Sequence, residues 1–399
     1  MPRTYNGPAM TSSRNRARIV GIGESAYTRW GGQPDKSELD LALEAILAAA
    51  ADAGLAPGEI DGFASYSDDT SAPERLTIAL GTRQLRLASM VWGGGGGGCC
   101  GALAHAAAAV ETGRARYVAV FRGLAQGQSF RFGRFHPWSA HADFCAPFGL
   151  MSPPQLFALL LRRHMHEFGT TAEQLGEVAL VCRDNAGRNP RAVMRDRPLT
   201  MQAYLASRMI ADPLRLHDCC LESDGASAVI VTTLERARDL AARPVEVLAA
   251  AQGSGQGWGS GMLGGHNMPA RTYASGNAGA MATELFAQAG VTPEDIDVAQ
   301  VYDAFTGTVL FALEDYGFCG RGESGAFAAA GHLRWPGGRL PINTSGGILS
   351  EAYIHGFNLV VEGVRQLRGD STSQVANARL CLVTGGESVT PTSGAILGI

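Results

Sequence analysis

Lysine is almost missing from this chain: of 33 Lys and Arg residues, only Lys36 is a lysine. It lies in the polar segment GGQPDKSELD, where a solvated surface residue is expected, so a Schiff-base mechanism has no residue to run on. Metal-ligand spacing is missing too. The eight cysteines include two adjacent pairs, Cys99-Cys100 and Cys219-Cys220, which suit neither a disulfide framework nor a CxxC knuckle. They read as small buried thiols of a cytosolic core, and no metal site is expected. No apolar run reaches membrane-spanning length. At a formal net charge of −4, no basic stretch points to nucleic acid. The N-terminal MPRTYNGPAMTSSRNRAR lacks the apolar centre of a signal peptide. The expectation is a cytoplasmic protein with a flexible polar leader over residues 1–15. Walker, GxSxG and HExxH motifs are absent. GIGESA, Gly21 to Ala26, fits a loose GxGxxA fingerprint, but the following YTRWGGQPD does not read as a helix, so a pyrophosphate would lack its dipole there.

What the chain has in plenty is glycine, with 52 residues. Six of them, Gly93 to Gly98, run into Cys99, Cys100 and then GALAHAAAAVETGRARYVAVFRG, an alanine-rich helix pattern followed by a strand pattern. A turn of bare backbone lets a ligand approach the N–H groups, and the helix N-terminus favours negative charge there.

The chain also repeats itself. Residues 52–66 read DAGLAPGEIDGFASY and residues 288–302 read QAGVTPEDIDVAQVY. Each follows an alanine-rich amphipathic helix pattern that stops at glycine, Gly54 or Gly290, with a proline shortly after. A second repeated block is a glycine-rich turn, a helix and a strand: Gly93 to Val120, and later NTSGGILSEAYIHGFNLVVEGVRQLRG with ARLCLVTGG. Strands alternating with helices argue for an α/β fold. The expected division is residues 16–240 and 241–399. The first part carries an insertion over 124–218, rich in Arg, His, Phe and Pro, that covers the site like a lid.

With these blocks in this order, the chain resembles thiolases over nearly its whole length, and is most similar to the branch related to sterol-carrier-protein thiolases, the lipid-transfer proteins. LRLHDCCLESDGASAVIVTTLERA is similar to the closing strand of the family's first half. QVYDAFTGTVLFALEDYGFCGRGE sits where thiolases carry NEAF, NTSGGILSEAYIHG where they carry GG and then GHP, and CLVTGGES where they carry a cysteine and glycines. The resemblance implies the thiolase fold: two pseudo-repeated α/β halves in a five-layer αβαβα arrangement. Four positions depart from the family. Gly98 stands at the nucleophile, Tyr302 at the NEAF asparagine and Tyr353 at the GHP histidine. Val383 stands at the second cysteine, with Cys381 two residues away. Two tyrosines and no catalytic cysteine resemble the thiolase-fold aldolases that shorten steroid side chains. That resemblance further implies a CoA thioester substrate with no bound cofactor, a homodimer, and a small OB-fold partner with a zinc ribbon completing a heterotetramer.

Retro-aldol cleavage of a β-hydroxyacyl thioester needs a base for the hydroxyl proton, a stabilised enolate and an acid for the α-carbon. Tyr302 and Tyr353 are the expected acid/base pair. Tyr353 falls near the start of a helix predicted from Glu351, whose dipole would favour a phenolate. Oriented N–H groups can hold the enolate oxygen, and the expected substrate-binding residues are Gly97, Gly98, Cys99, Gly346, Gly347, Gly385 and Gly386. Asp303 reads as a cap of the helix after it, and His355 as a packed histidine. Two other readings stay open: an acyltransferase using Cys99 as a displaced nucleophile, and a non-catalytic acyl-CoA or lipid-binding scaffold.

Overall fold

The structure is a computed structural model that describes residues 16–128, 146–150, 152–240, 243–255, 273–388 and 391–399. The leader 1–15, Cys145 and segment 129–145 of the expected insertion lie outside the described residues. Twelve strands are formed among them. The first half supplies β1 (Ala17–Glu24), β2 (Thr28–Arg29), β3 (Gly62–Tyr66), β4 (Leu87–Val91), β5 (Val118–Ala125), β6 (Met209–Ala211), β7 (Leu214–Arg215) and β8 (Ser223–Thr233). The second supplies β9 (Val245–Gly253), β10 (Val298–Gln300), β11 (Leu380–Gly385) and β12 (Thr392–Gly398).

The main sheet runs β10-β11-β12-β9-β1-β8-β5-β3-β4, with β2 added to β8. Its two halves have one connectivity. In the first, β1 is antiparallel to β8 and β8 to β5, while β5 is parallel to β3 and β3 to β4. In the second, β9 is antiparallel to β12 and β12 to β11, β11 is parallel to β10, and Ala299 bridges in parallel to Ile342. The sequence repeat is therefore a repeat of topology. The halves join edge to edge through two short pairings, Arg18 with Glu246 and Ile19 with Val245.

Five layers follow from where the helices lie. Helices Cys99–Glu111 and Phe357–Arg368 each touch strands of both halves and form the middle layer. Helix Glu38–Ala53 covers β1, β5 and β8 on one outer face, and Gly279–Ala289 covers β9 and β12 on the other. The first of these begins at a capping box, in which the Ser37 and Asp40 side chains each bind the other's backbone N–H, and stops at Gly54 with φ of 69°. Its contact with β1 explains GIGESA. A Cβ on Gly21 would lie 2.0 Å from the Ala49 carbonyl oxygen, and one on Gly23 would lie 2.2 Å from that of Ala45. These glycines let a helix close onto a strand.

The insertion forms helices Pro153–Phe168, Ala172–Arg188 and Met201–Ala206. Pro153–Phe168 is anchored on helix Thr306–Asp315: the Phe157 and Phe305 rings lie 4.4 Å apart, and His164 Nε2 meets Glu314 Oε1 at 3.0 Å. The helix expected from Glu351 does not form. A short turn of helix, Gly347–Ser350, ends first, and Tyr353 lies in a loop before Phe357–Arg368. His355 at φ 47° and Gly356 at φ 85° set that loop's path, which no helix can follow.

Candidate active site

Tyr302 follows the end of β10, and its place is set by backbone contacts. Its N–H donates to Thr384 Oγ1 at 2.9 Å, and the Val301 N–H donates to Asn343 Oδ1 at 2.7 Å. The Tyr353 N–H donates to Ser223 Oγ at 3.1 Å. These anchors bring the two phenol oxygens, 51 residues apart in sequence, to 3.2 Å. The Gly96 N–H donates to Tyr302 Oη at 3.0 Å. Both tyrosines are buried. The glycine run makes room for them: a Cβ on Gly96 would lie 2.1 Å from the Tyr302 ring, and one on Gly95 would lie 3.1 Å from Tyr302 Oη and 3.5 Å from Tyr353 Oη.

Burial holds both phenols well above their ordinary pKa, with hydrogen bonds from Tyr353 and Gly96 partly opposing the effect at Tyr302. The pair is therefore neutral at physiological pH, in place of the phenolate that a helix start at Tyr353 would have favoured. Two linked neutral hydroxyls can donate, accept and pass protons along.

The other expected residues divide. Gly385 lies against this cluster, since a Cβ there would be 2.8 Å from the Gly96 carbonyl oxygen and 3.2 Å from Cys99 Cβ; Gly386 turns the chain away at φ 74°. Gly97 is tied in by its carbonyl, which accepts from Gln252 Nε2 at 2.9 Å. Gly98 faces Tyr66, and Cys99 is fully buried. The Gly346-Gly347 turn is engaged internally. Gly346 N–H donates to the Asn343 carbonyl at 2.8 Å. The next amides, Ile348 and Leu349, donate to the Asp303 carboxylate at 2.9 and 3.1 Å. A buried carboxylate needs such donors; even so, burial raises the Asp303 pKa to about 6. Asp303 thus caps the turn Gly347–Ser350 across the fold, whereas the helix that follows it in sequence begins with Thr308 Oγ1 accepting from the Phe305 N–H. His355 is packed as expected, its Nδ1 accepting from Arg122 Nε at 3.2 Å. Burial, with the Arg122 charge, lowers its pKa to about 3, so it is neutral. Glu351 accepts from Asn189 Nδ2 (2.8 Å), Ser345 Oγ (2.7 Å) and Asn358 Nδ2 (2.9 Å), bracing the start of the Tyr353 loop.

Two residues at the site went unread in the sequence. Tyr66, fully buried at the end of β3, occupies the space beside Gly98. Its signal was present, because it closes repeat 52–66 as Tyr302 closes repeat 288–302. Glu387, just after Gly386, is fully buried, and burial pushes its carboxyl up to about 8; nothing local in CLVTGGES marks it.

A cavity of about 620 Å³ lies near the tyrosines, neither of which is among its lining residues. Its inner wall includes Cys220, a neighbour that raises both phenols, with Phe305 and Leu349 beside it. Four arginines line it: Arg29, Arg183, Arg197 and Arg208. Arg183 donates to Ser350 Oγ at 3.0 Å and to the Arg197 carbonyl at 2.9 Å, and Arg29 reaches the Met194 sulfur at 3.4 Å. These are neutral partners. Burial, followed by the like charges of Arg197 and Arg29, lowers the Arg183 pKa. An apolar cavity rimmed with clustered cations suits a long ligand with an anionic end.

Residues 265–398 match the model of the thiolase C-terminal domain-like family. The chain is 44% identical to a steroid side-chain-cleaving aldolase of Thermomonospora curvata, covering 96% of this chain and 97% of that one. It is 43% identical to the 17-hydroxy-3-oxo-4-pregnene-20-carboxyl-CoA lyase of Mycobacterium tuberculosis, covering 96% and 99%. A solved Ltp2-ChsH2(DUF35) aldolase superposes with a TM-score of 0.88 at 43% identity, over 97% of this chain and 99% of that one. The chain belongs to the family of these thiolase-fold aldolases. The matched C-terminal domain carries Tyr302 and Tyr353, while the glycine run and Tyr66 come from the first half, so the candidate site is assembled across the two halves of the fold.

Proposed function

We propose that this chain cleaves a β-hydroxyacyl-CoA, derived from a steroid side chain, into a ketone and a shorter acyl-CoA. The observation that carries the reading is the buried Tyr302–Tyr353 hydroxyl pair at 3.2 Å. In retro-aldol cleavage the β-hydroxyl proton leaves as its oxygen becomes the ketone carbonyl. The bond to the α-carbon breaks, its electrons form the thioester enolate, and one proton must reach the α-carbon. The proton lost equals the proton gained. One tyrosine accepts the hydroxyl proton and passes its own to the second, which delivers its proton to the enolate α-carbon, so neither phenol needs to persist as a phenolate. Until that transfer the second hydroxyl is a donor available to the enolate oxygen, and the Gly96 N–H, committed to Tyr302 Oη, supports the pair through that phenol. The four cavity arginines supply cations for the phosphates of CoA, and the apolar wall suits a ring system.

The same reading includes a homodimer and a small DUF35-type partner. Edge strand β4 favours self-association, since it pairs with β3 on one side and carries exposed Met90 and, just beyond, Trp92 at 88% exposure. The test is to incubate the purified chain, alone and with a DUF35 protein, with a 17-hydroxy steroid carboxyl-CoA and identify the products by mass spectrometry. Ketone and propionyl-CoA in equal amounts are expected. An acetylated Cys99 after incubation with acetyl-CoA would favour the acyltransferase reading instead.

A further inference from the structure

Tyr66 is the third tyrosine of the site, and its contacts give it a role of its own. Its ring fills the space that a side chain at Gly98 would need: a Cβ there would lie 2.4 Å from Tyr66 Cβ and 3.0 Å from Cγ. Its hydroxyl donates to the His355 carbonyl at 2.8 Å. His355 sits in the left-handed region, φ 47°, which non-glycine residues hold only when their surroundings impose it. Those surroundings can be named. Tyr66 takes the carbonyl and Arg122 takes the ring. Arg122 is itself buried and fixed by Glu38 and Asp69 at 2.9 Å and Asp68 at 3.0 Å. The turn so held carries both phenols' neighbours. The Tyr353 and His355 rings meet edge to face at 5.1 Å, and a Cβ on Gly356 would lie 2.9 Å from the Tyr302 ring. A shift of His355 therefore moves Tyr353 directly and loosens the wall behind Tyr302.

We propose that the Tyr66 hydroxyl is a positioning group: by fixing the His355 carbonyl it sets the Tyr353–Gly356 turn, and with it the spacing of the Tyr302 and Tyr353 hydroxyls. Its one proton is committed to that carbonyl, so it acts through the turn and not on the substrate. The kinetic consequence rests on the aldolase reading above; the structural one does not.

Tyr66→Phe keeps the ring beside Gly98 and removes only the clamp. Hydrogen–deuterium exchange on the whole protein should show a peptide spanning residues 351–357 exchanging about fivefold faster or more, with β8 unchanged. With a β-hydroxyacyl-CoA substrate, kcat should fall about tenfold or more while KM stays within about twofold, as misplacement of a reacting group does. Unchanged exchange in the variant overturns the clamp. Faster exchange with kcat intact overturns the positioning role, and a raised KM with kcat intact puts Tyr66 against the substrate instead. A wild-type protein that cleaves nothing sinks the aldolase reading, and the exchange result then still decides the clamp.

Discussion

Tyr302 and Tyr353 are chemically unremarkable phenols until the fold brings their oxygens together. Each stands at the end of a recognisable block, which is why both could be named from the sequence. Their ionisation state could not, because it depends on burial and on the Gly96 N–H, a group 206 residues from Tyr302. The role of Tyr66 is not legible in the sequence, because its partner, the His355 carbonyl, lies 289 residues away and no local pattern encodes that contact. Asp303 was legible as a cap but not as the cap of a turn 45 residues downstream. The prediction at this scale concerns the hydroxyls. Tyr302→Phe and Tyr353→Phe keep each ring and delete a proton-transfer group, so each should lower kcat by about 10²-fold or more. Thermal unfolding should change little in Tyr353→Phe, where a phenyl ring fills the same space, and fall modestly in Tyr302→Phe, where the buried Gly96 N–H loses its acceptor. Turnover within a fewfold of wild type in both variants would make these residues packing and remove the support for a tyrosine mechanism.

Helices and strands are legible in the sequence wherever period and punctuation agree. The capped helix Glu38–Ala53 and the alanine-rich Cys99–Glu111 fall where their patterns put them. The failure at Glu351 is instructive. SEAYIHGF has ordinary helical composition, but the amides at 348 and 349 are committed to Asp303 and the backbone turns left-handed at His355. Asp303 fixes where the short helix begins, and the left-handed backbone at His355 and Gly356 keeps any helix from running through this segment. Strand β4 carries this scale's prediction. Its free edge and the exposed Trp92 make it the surface expected to meet a second copy. Trp92→Asp places a charge in the proposed contact, so light scattering is expected to find dimers of the parent and monomers of the variant. A dimer that survives the change with undiminished stability moves the interface elsewhere.

The whole molecule buries an unusual set of acids, and that set makes its stability depend on pH in an unusual direction. Burial raises Asp303 and Asp315 to about 6, Glu351 to about 7 and Glu387 to about 8. Carboxyls of the unfolded chain titrate near 4. Between these values the folded state holds protons that the unfolded state has released, so stability is greatest on the acid side of this window and falls as pH rises through it. Glu24, Glu314 and Asp68 are shifted the opposite way, downward, and matter only in the acid range, where the unfolded chain would take up protons before they do. Near pH 7 the imbalance is about one to two protons, and each contributes a slope of about 1.4 kcal/mol per pH unit. Calorimetry from pH 6 to pH 8 should therefore show a falling Tm, with Asp303 and Asp315 contributing only near the lower end and Glu387 throughout. Glu387→Gln removes the group with the highest value while keeping its volume. That variant should unfold at a higher temperature than the parent by a margin that grows from pH 6 to pH 8, because over this range the unfolded parent has released the Glu387 proton that the folded parent retains. A Tm that rises across this range, or a variant with the parent's slope, would mean that Glu387 finds a compensating partner and is ionised in the folded protein.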